Sequence, residues 1–224
     1  MAPAHWTATE WWGDRHRQIV DRIGQGNVDL IFVGDSITQG WERTGASLWE
    51  TYYVPRRAVN MGFDGDNTQH VLWRLEQGEI EGISPKVAVV LIGVNNLWNN
   101  STAEIANGIQ AVCLNLRSRL PETKVLLLAM FPCQEHPGAA HDKIIEVNKR
   151  ACRIADGDMI HYLDIGCEFL RPDNTLSADL MPDFLHPNAK GYEVWAKAME
   201  PLLVELMGES VYVNSIHAIE PPLP

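Results

Sequence analysis

Five short runs of apolar residues recur along the chain, and longer segments with helical periodicity separate them. The runs cover residues 28–34, 58–62, 86–94, 124–130 and 159–165. The first, third and fourth runs are apolar at successive positions instead of alternate ones. This pattern is typical of strands that are buried on both faces of a parallel sheet.

The segments with helical periodicity cover residues 67–77, 101–119, 142–155 and 188–207. Asn67 is a suitable N-cap for the first of them, and the second opens with the Ser-Thr-Ala-Glu pattern of a capping box. Pro201 is expected to kink the last helix or to split it in two. Strands that alternate with helices predict βαβ units, a parallel sheet and a three-layer α/β/α sandwich.

The length of 224 residues fits one large domain. We expect an N-terminal arm over residues 1–27, a catalytic domain over 28–208, and a C-terminal tail over 209–224. The tail falls outside the alternation and is expected to pack on the domain or on a neighbouring subunit. Trp6, Trp11 and Trp12 suit docking of the arm on the domain or on another subunit.

The net charge of −11, with no run of Lys or Arg, argues against a nucleic-acid partner. No apolar run approaches the roughly 20 residues that a membrane helix needs, so no membrane span is expected. The first residues lack the basic start and apolar stretch of a signal peptide, and the four cysteines form no CxxC pair. A reduced, cytoplasmic protein is the resulting expectation.

Small polar motifs follow the first three predicted strands, and a fourth precedes the last helix. They are Gly34-Asp35-Ser36, the segment 62–67, Gly93-Val94-Asn95-Asn96, and Asp183-Phe184-Leu185-His186. In an open α/β sheet, functional groups gather at the carboxyl ends of the strands. Each motif taken alone also fits a turn, a helix cap or a structural ion pair.

Taken together, these motifs supply every part of an acyl-transfer reaction. Ser36 is the candidate nucleophile, His186 its general base, and Asp183 the carboxylate that orients the imidazole. The backbone N–H groups of Ser36 and Gly65 and the side-chain amide of Asn95 are candidate donors for the oxyanion.

Two further residues are candidates for binding the substrate. Asp35 is adjacent to the nucleophile, and Trp98 follows the Asn95-Asn96 pair, where its ring can form a wall for an acyl group or a sugar. His136, His141 and His161 match no familiar set of metal ligands. We therefore expect neither a metal nor a cofactor.

The order of Gly-Asp-Ser, Gly, Gly-x-Asn and Asp-x-x-His resembles the SGNH (Gly-Asp-Ser-type) hydrolase superfamily. Residues 30–39, 59–96 and 183–192 carry the resemblance, and they are similar more narrowly to the catalytic α subunits of intracellular platelet-activating-factor acetylhydrolase type Ib. The resemblance covers residues 28–207. It implies a flavodoxin-like fold with five parallel strands and ester hydrolysis without a metal.

By position, the resemblance matches Ser36, Gly65, Asn95, Asp183 and His186 to the nucleophile, two oxyanion donors and the Asp-His pair. The chain departs from those subunits at Val94, where they usually have Thr, and at Phe63-Asp64, which replaces a smaller Ile-Gly pair. These changes flank the oxyanion donors. We therefore do not transfer the substrate of those subunits to this chain.

The leading hypothesis is a serine esterase for short-chain esters, acetyl above all, of a small molecule or a sugar. One alternative keeps the chemistry and acts on a phospholipid or a thioester. Another is a flavodoxin-like binding module without catalysis, which the presence of all five polar positions argues against. The resemblance and the Trp-rich arm also suggest a homodimer.

Overall fold

The computed structural model describes residues 10–209, which contain a five-stranded parallel sheet in the order β2-β1-β3-β4-β5. The strands are β1 (Leu30–Gly34), β2 (Ala58–Gly62), β3 (Val87–Leu91), β4 (Lys124–Leu128) and β5 (Ile160–Leu163). This is the flavodoxin-like strand order. The chain adds β2 on one side of β1 and then adds β3, β4 and β5 on the other side, so the topological switch point lies between β1 and β3. The predicted fold class is therefore confirmed.

Helices connect the strands and cover both faces of the sheet. They are α1 (Glu10–Gly24), α2 (Ser36–Gln39), α3 (Ala46–Tyr52), α4 (Thr68–Arg74), α5 (Thr102–Arg119), α6 (Ala139–Ala151) and α7 (Ala189–Met207). Helices α4, α5 and α6 pack side by side, whereas α3 contacts α7. Right-handed crossovers place these two groups on opposite faces, which gives the three layers.

The strands are buried as their apolar runs predict. Every residue of β1 and β3 is buried, because helices cover both faces of the sheet. The third strand is shorter than its apolar run, since Gly93 with a φ of 127° turns the chain into a 3-10 turn, Val94–Asn96. The observed α6 begins three residues before the predicted start at 142.

Helix α7 runs unbroken through Pro201, so the expected split of this helix is wrong. A proline lacks the N–H that would pair with the carbonyl four residues earlier. Pro201 is exposed, and solvent can satisfy that carbonyl. Packing of Trp195, Met199 and Leu203 into the core holds the helix together across the proline.

Part of the expected N-terminal arm is helix α1, whose Trp12, Ile19 and Ile23 belong to the main hydrophobic core. Trp11 is exposed, and Trp6 lies outside the described residues. Most of the expected tail, 210–224, also lies outside them. Between residues 10 and 209, no helix combines the length and apolarity needed to cross a bilayer.

Candidate active site

Ser36 is the first residue of α2, directly after β1. The side chain of Asp35 caps this helix, accepting a hydrogen bond of 3.0 Å from the backbone N–H of Ile37. The turn lies tightly on the end of β2, where a Cβ on Gly62 would come within 2.2 Å of the Gln39 nitrogen. This close approach fixes Ser36 at the carboxyl edge of the sheet.

Ser36, His186 and Asp183 form a continuous hydrogen-bonded chain, although Ser36 and His186 are 150 residues apart. His186 Nε2 lies 2.9 Å from Ser36 Oγ, and its Nδ1 lies 2.7 Å from Asp183 Oδ2. An imidazole placed between a hydroxyl and a carboxylate can remove the hydroxyl proton while the carboxylate stabilises the resulting cation. The geometry therefore suits nucleophilic catalysis.

The Asp183 carboxylate is held by the loop that carries His186. Partial burial raises its pKa, but hydrogen bonds from the His186 ring and from the backbone N–H groups of His186 and Leu185 outweigh this and lower it. Phe184 joins the pair with a φ of 56°, and its carbonyl accepts a hydrogen bond from the Gln134 N–H at 2.8 Å. The carboxylate therefore stays ionised and oriented toward the ring.

Gly65 and Asn95, the two other predicted oxyanion donors, reach the same cavity as Ser36. Gly65 has a φ of 76° in the turn after β2, a conformation that favours glycine. Asn95 Nδ2 donates to the carbonyl of Asp66 at 2.9 Å, which leaves its second N–H for another acceptor. The cavity has a volume of about 620 Å³ and is also lined by Asp183 and His186.

The two predicted substrate-binding residues have different surroundings. Asp35 is 1% exposed and does not line the cavity, which argues against a direct contact with substrate. Burial raises the pKa of this carboxyl to about 7, and its side chain serves as a helix cap. Trp98 is 68% exposed and lines an adjoining cavity of about 430 Å³ together with Asn95 and Asp183. Its contact with substrate stays a prediction.

Sequence reasoning missed several residues of the cavity wall. Arg43 pairs with Asp64 at 2.9 Å, and both line the cavity beside Thr44 and Tyr192. Asp64 was noticed only as a departure from the family pattern, and Arg43 has no local signal. Phe63, which precedes Asp64 in the same departure from the family pattern, is fully buried and does not line the cavity.

Among residues 10–209, no group of three His, Cys, Asp or Glu side chains is arranged to hold a metal ion. His141 is buried, whereas the ring of His161 contacts the Asp158 carbonyl at 2.9 Å. The histidines that sequence reasoning considered for a metal therefore have separate surroundings.

Comparisons with known proteins identify the family of this chain. The model of the GDSL-like lipase/acylhydrolase family matches residues 32–194. The human platelet-activating factor acetylhydrolase IB subunit alpha1 is 35% identical over 200 residues, which cover 89% of this chain and 85% of that protein. The rat alpha2 subunit is 34% identical over 203 residues, covering 89% and 86% respectively.

Solved structures support the fold. A GDSL-like lipase from Bacteroides thetaiotaomicron matches with a TM-score of 0.70 at 18% identity, covering 86% of this chain and 97% of that one. An acetylxylan esterase from Geobacillus stearothermophilus matches with a TM-score of 0.62, also at 18% identity, covering 83% and 96%. At this level of identity, the likeness concerns the fold alone.

Proposed function

The chain belongs to the GDSL-like lipase/acylhydrolase family and is an ester hydrolase, and from this premise we propose that it removes short acyl groups through an acyl-Ser36 intermediate. The observation that carries the proposal is the hydrogen-bonded chain from Ser36 through His186 to Asp183. A free serine hydroxyl is too weak an acid to attack an ester at neutral pH, and a positioned imidazole removes this obstacle.

The reaction has two halves. In the first, Ser36 Oγ bonds to the acyl carbon while His186 Nε2 takes the hydroxyl proton, and the alcohol then leaves with that proton. In the second half, water attacks the acyl-serine, gives its proton to His186, and releases the acid as Ser36 recovers the proton. Asp183 stabilises the imidazolium that forms in both halves.

Three donors are proposed for the oxyanion: the backbone N–H groups of Ser36 and Gly65 and the free N–H of Asn95. Removing one such donor typically raises the barrier by about 2.7–4 kcal/mol. The hydrogen bond from Asn95 to the Asp66 carbonyl supports this role, because it fixes the amide before substrate arrives.

An acetyl ester is the proposed substrate, with a sugar or another small molecule as its alcohol portion. The Arg43–Asp64 pair makes one wall of the catalytic cavity charged, which disfavours a long apolar acyl chain. The adjoining cavity beside Trp98 offers an exposed aromatic face for the alcohol. Relatives are named for acetylhydrolase and acetylxylan esterase activities, which supports a short acyl group.

The test is hydrolysis of p-nitrophenyl esters from acetate to octanoate by the wild type and by Ser36→Ala, with circular dichroism as the check on folding. We expect turnover that falls with chain length and a folded, inactive Ser36→Ala variant. Activity that survives in Ser36→Ala would overturn the site. A wild type that is inert toward every ester in the series would overturn the proposal and favour the non-catalytic module.

The role of Trp98 is tested separately with acetylated xylo-oligosaccharides and p-nitrophenyl acetate. We expect Trp98→Ala to raise KM for the sugar about tenfold, since loss of one aromatic contact is worth about 1 kcal/mol or more, and to leave turnover of p-nitrophenyl acetate unchanged. Leu114→Ala is the control, because Leu114 is also a large exposed hydrophobic residue but lines neither cavity. Equal sugar kinetics for both variants would remove Trp98 from the substrate site.

A further inference from the structure

Three fully buried charged side chains, Arg74, Asp66 and Glu79, lie beneath the turn 62–66 that carries Gly65. We call this turn the oxyanion turn and these three residues the buried ion cluster. Arg74 Nε donates to Asp66 Oδ2 at 2.7 Å, and its Nη1 donates to Glu79. Arg74 Nη2 also donates to the carbonyl of Met61 at 3.2 Å, so the guanidinium holds both the end of β2 and the turn.

Helix α1 completes this arrangement from the outside. Trp12 Nε1 donates to Asp66 Oδ1 at 2.9 Å, and Arg15 Nε donates to the Gly62 carbonyl at 2.7 Å. His16 Nδ1 lies 2.8 Å from Glu79 Oε1. Helix α1 therefore holds both ends of the oxyanion turn.

Within the turn, Phe63 packs into the core, whereas Asp64 is half-buried and Gly65 is exposed toward the cavity. The fully buried ring of Phe63 has the Arg74 guanidinium 3.8 Å from its centroid and the Trp12 ring centroid at 5.4 Å. Arg15 lies against the same ring at 5.2 Å. These contacts anchor the turn at Phe63, in addition to the anchors at Gly62 and Asp66.

A hydrogen bond joins the buried ion cluster to Asn95 in the wall of the catalytic cavity. The backbone carbonyl of Asp66 accepts the bond of 2.9 Å from Asn95 Nδ2, and Gly65 immediately precedes Asp66. Both side-chain oxygens of Asp66 are already bound, to Trp12 and to Arg74. Contacts from Trp12 of α1 and from Arg74 of α4 therefore hold Asp66, and through its carbonyl they orient the Asn95 amide.

Stability alone explains the cluster poorly. Burying an ion pair costs desolvation energy that its attraction often fails to recover, and well-packed apolar residues can be as stable. Fixed orientation of dipoles, in contrast, is what an oxyanion site needs. The cost of burying these charges is consistent with a role of the cluster in orienting the oxyanion donors.

We propose that α1 is part of the catalytic apparatus, and that Trp12 acts through Asp66 as a positioning residue for the Asn95 amide. The inference rests on the proposed function, because it needs Asn95 as an oxyanion donor. It assigns a task to a helix that precedes the residues matched by the family model, 32–194.

The first experiment compares Trp12→Phe with the wild type on p-nitrophenyl acetate. Phenylalanine keeps an aromatic ring in the core and removes the N–H that binds Asp66. We expect kcat to fall about tenfold with KM unchanged, since hydrogen bonds to charged groups have this order of effect. Trp195→Phe is the matched control: Trp195 is fully buried, and within residues 10–209 its indole N–H has no hydrogen-bond partner.

A double-mutant cycle with Asn95→Ala separates positioning from general destabilisation. If Trp12 acts through Asn95, the tenfold effect of Trp12→Phe shrinks to less than twofold when Asn95 is alanine. A merely structural effect gives the same factor in both backgrounds and overturns the proposal. Equal kcat for Trp12→Phe and Trp195→Phe also overturns it.

Glu79→Gln provides a second route should Trp12→Phe fold poorly. It keeps the shape of the side chain and an acceptor oxygen, and it weakens the hold on Arg74; we expect the same loss of kcat and the same dependence on Asn95. Failure of the proposed function is distinguishable, because Ser36→Ala would then keep its activity. Loss of activity in Ser36→Ala and Asn95→Ala, with no effect of Trp12→Phe or Glu79→Gln, removes only the role of α1.

Discussion

Asn95 and Asn96 are adjacent in sequence and have different surroundings. The Asn96 side chain is buried, accepts a hydrogen bond of 3.0 Å from the Thr68 N–H, and donates to Gln69 and Asn100. Asn95 is half-buried and lines the catalytic cavity. One amide is therefore available for chemistry, whereas the other joins two segments of the fold.

This difference predicts opposite effects for two alanine substitutions. Asn95→Ala should lower kcat by about 10²- to 10³-fold and leave the melting temperature nearly unchanged, because an oxyanion donor acts mainly on the transition state. Asn96→Ala should lower the free energy of unfolding by about 1–3 kcal/mol, because it leaves a buried N–H unsatisfied. Ester kinetics and thermal unfolding measure both. A stable Asn96→Ala variant that loses as much kcat as Asn95→Ala would contradict the assignment.

Asp35 predicts a pH dependence of stability. Burial raises the pKa of its carboxyl from 3.8 to about 7, so the folded protein holds this proton more tightly than the unfolded chain. The group therefore has no effect on stability below about pH 4, and it destabilises the fold progressively as pH rises toward 7. Asparagine keeps the acceptor oxygen for the Ile37 N–H and never ionises.

We therefore expect Asp35→Asn to match the wild type in stability near pH 4 and to exceed it by up to about 4 kcal/mol at pH 8, from about 1.4 kcal/mol per pKa unit. Urea unfolding at four pH values measures the difference. Thr38→Val is the control, since it changes a buried polar group on the same helix without a titrating carboxyl. A difference between Asp35→Asn and wild type that does not vary with pH would refute the prediction.

At the scale of elements, the strands were predictable because burial on both faces leaves continuous apolar runs. Helix α1 was not recognised, because only Trp12, Ile19 and Ile23 of its 15 residues are buried and most others are polar or charged. The pairing of Arg74 with Asp66 and Glu79 was equally unpredictable from the sequence. Charged side chains give no periodic signal when tertiary contacts bury them.

Pro201 yields a prediction for α7. Alanine restores a backbone N–H in the middle of a long helix, which favours folding by up to about 3 kcal/mol, although the unfolded chain gains roughly 1 kcal/mol of freedom. We expect Pro201→Ala to raise the free energy of unfolding by about 2 kcal/mol. Chemical denaturation measures it.

Pro121→Ala is the control for Pro201→Ala, because Pro121 follows the end of α5 in an exposed turn where no helical N–H is lost. It should lower stability by less than about 1 kcal/mol. A Pro201→Ala variant no more stable than Pro121→Ala would mean that α7 is already adapted to its proline.

At the scale of the whole molecule, the two ends of the sheet have different tasks. The carboxyl ends of β1, β2 and β3 lead into the segments that carry Ser36, Gly65 and Asn95. The order of motifs made this edge predictable. The cavity wall was not predictable from the sequence, because Arg43, Asp64 and Tyr192 come together only when the chain has folded.

At the amino end of β2, Arg56 donates to Glu200 of α7 at 2.8 Å and to Glu209 at 3.0 Å.

The Arg56 side chain is only 11% exposed, and its two partners are also partly buried. Removing it leaves two carboxylates close together without a cation, which typically costs about 3 kcal/mol or more for buried pairs and somewhat less here. We expect Arg56→Met to lower the free energy of unfolding by about 2 kcal/mol and to leave kcat and KM for p-nitrophenyl acetate unchanged.

Arg57→Met is the matched control for this last prediction. Arg57 is 48% exposed, and Asp29 is its one ion-pair partner among residues 10–209. A largely exposed pair of this kind is worth less than about 1 kcal/mol. The two variants carry the same change of charge, so any difference between them reflects the burial of Arg56 and its second carboxylate. Loss of activity in Arg56→Met at a temperature where it stays folded would show that the two ends of the sheet are coupled.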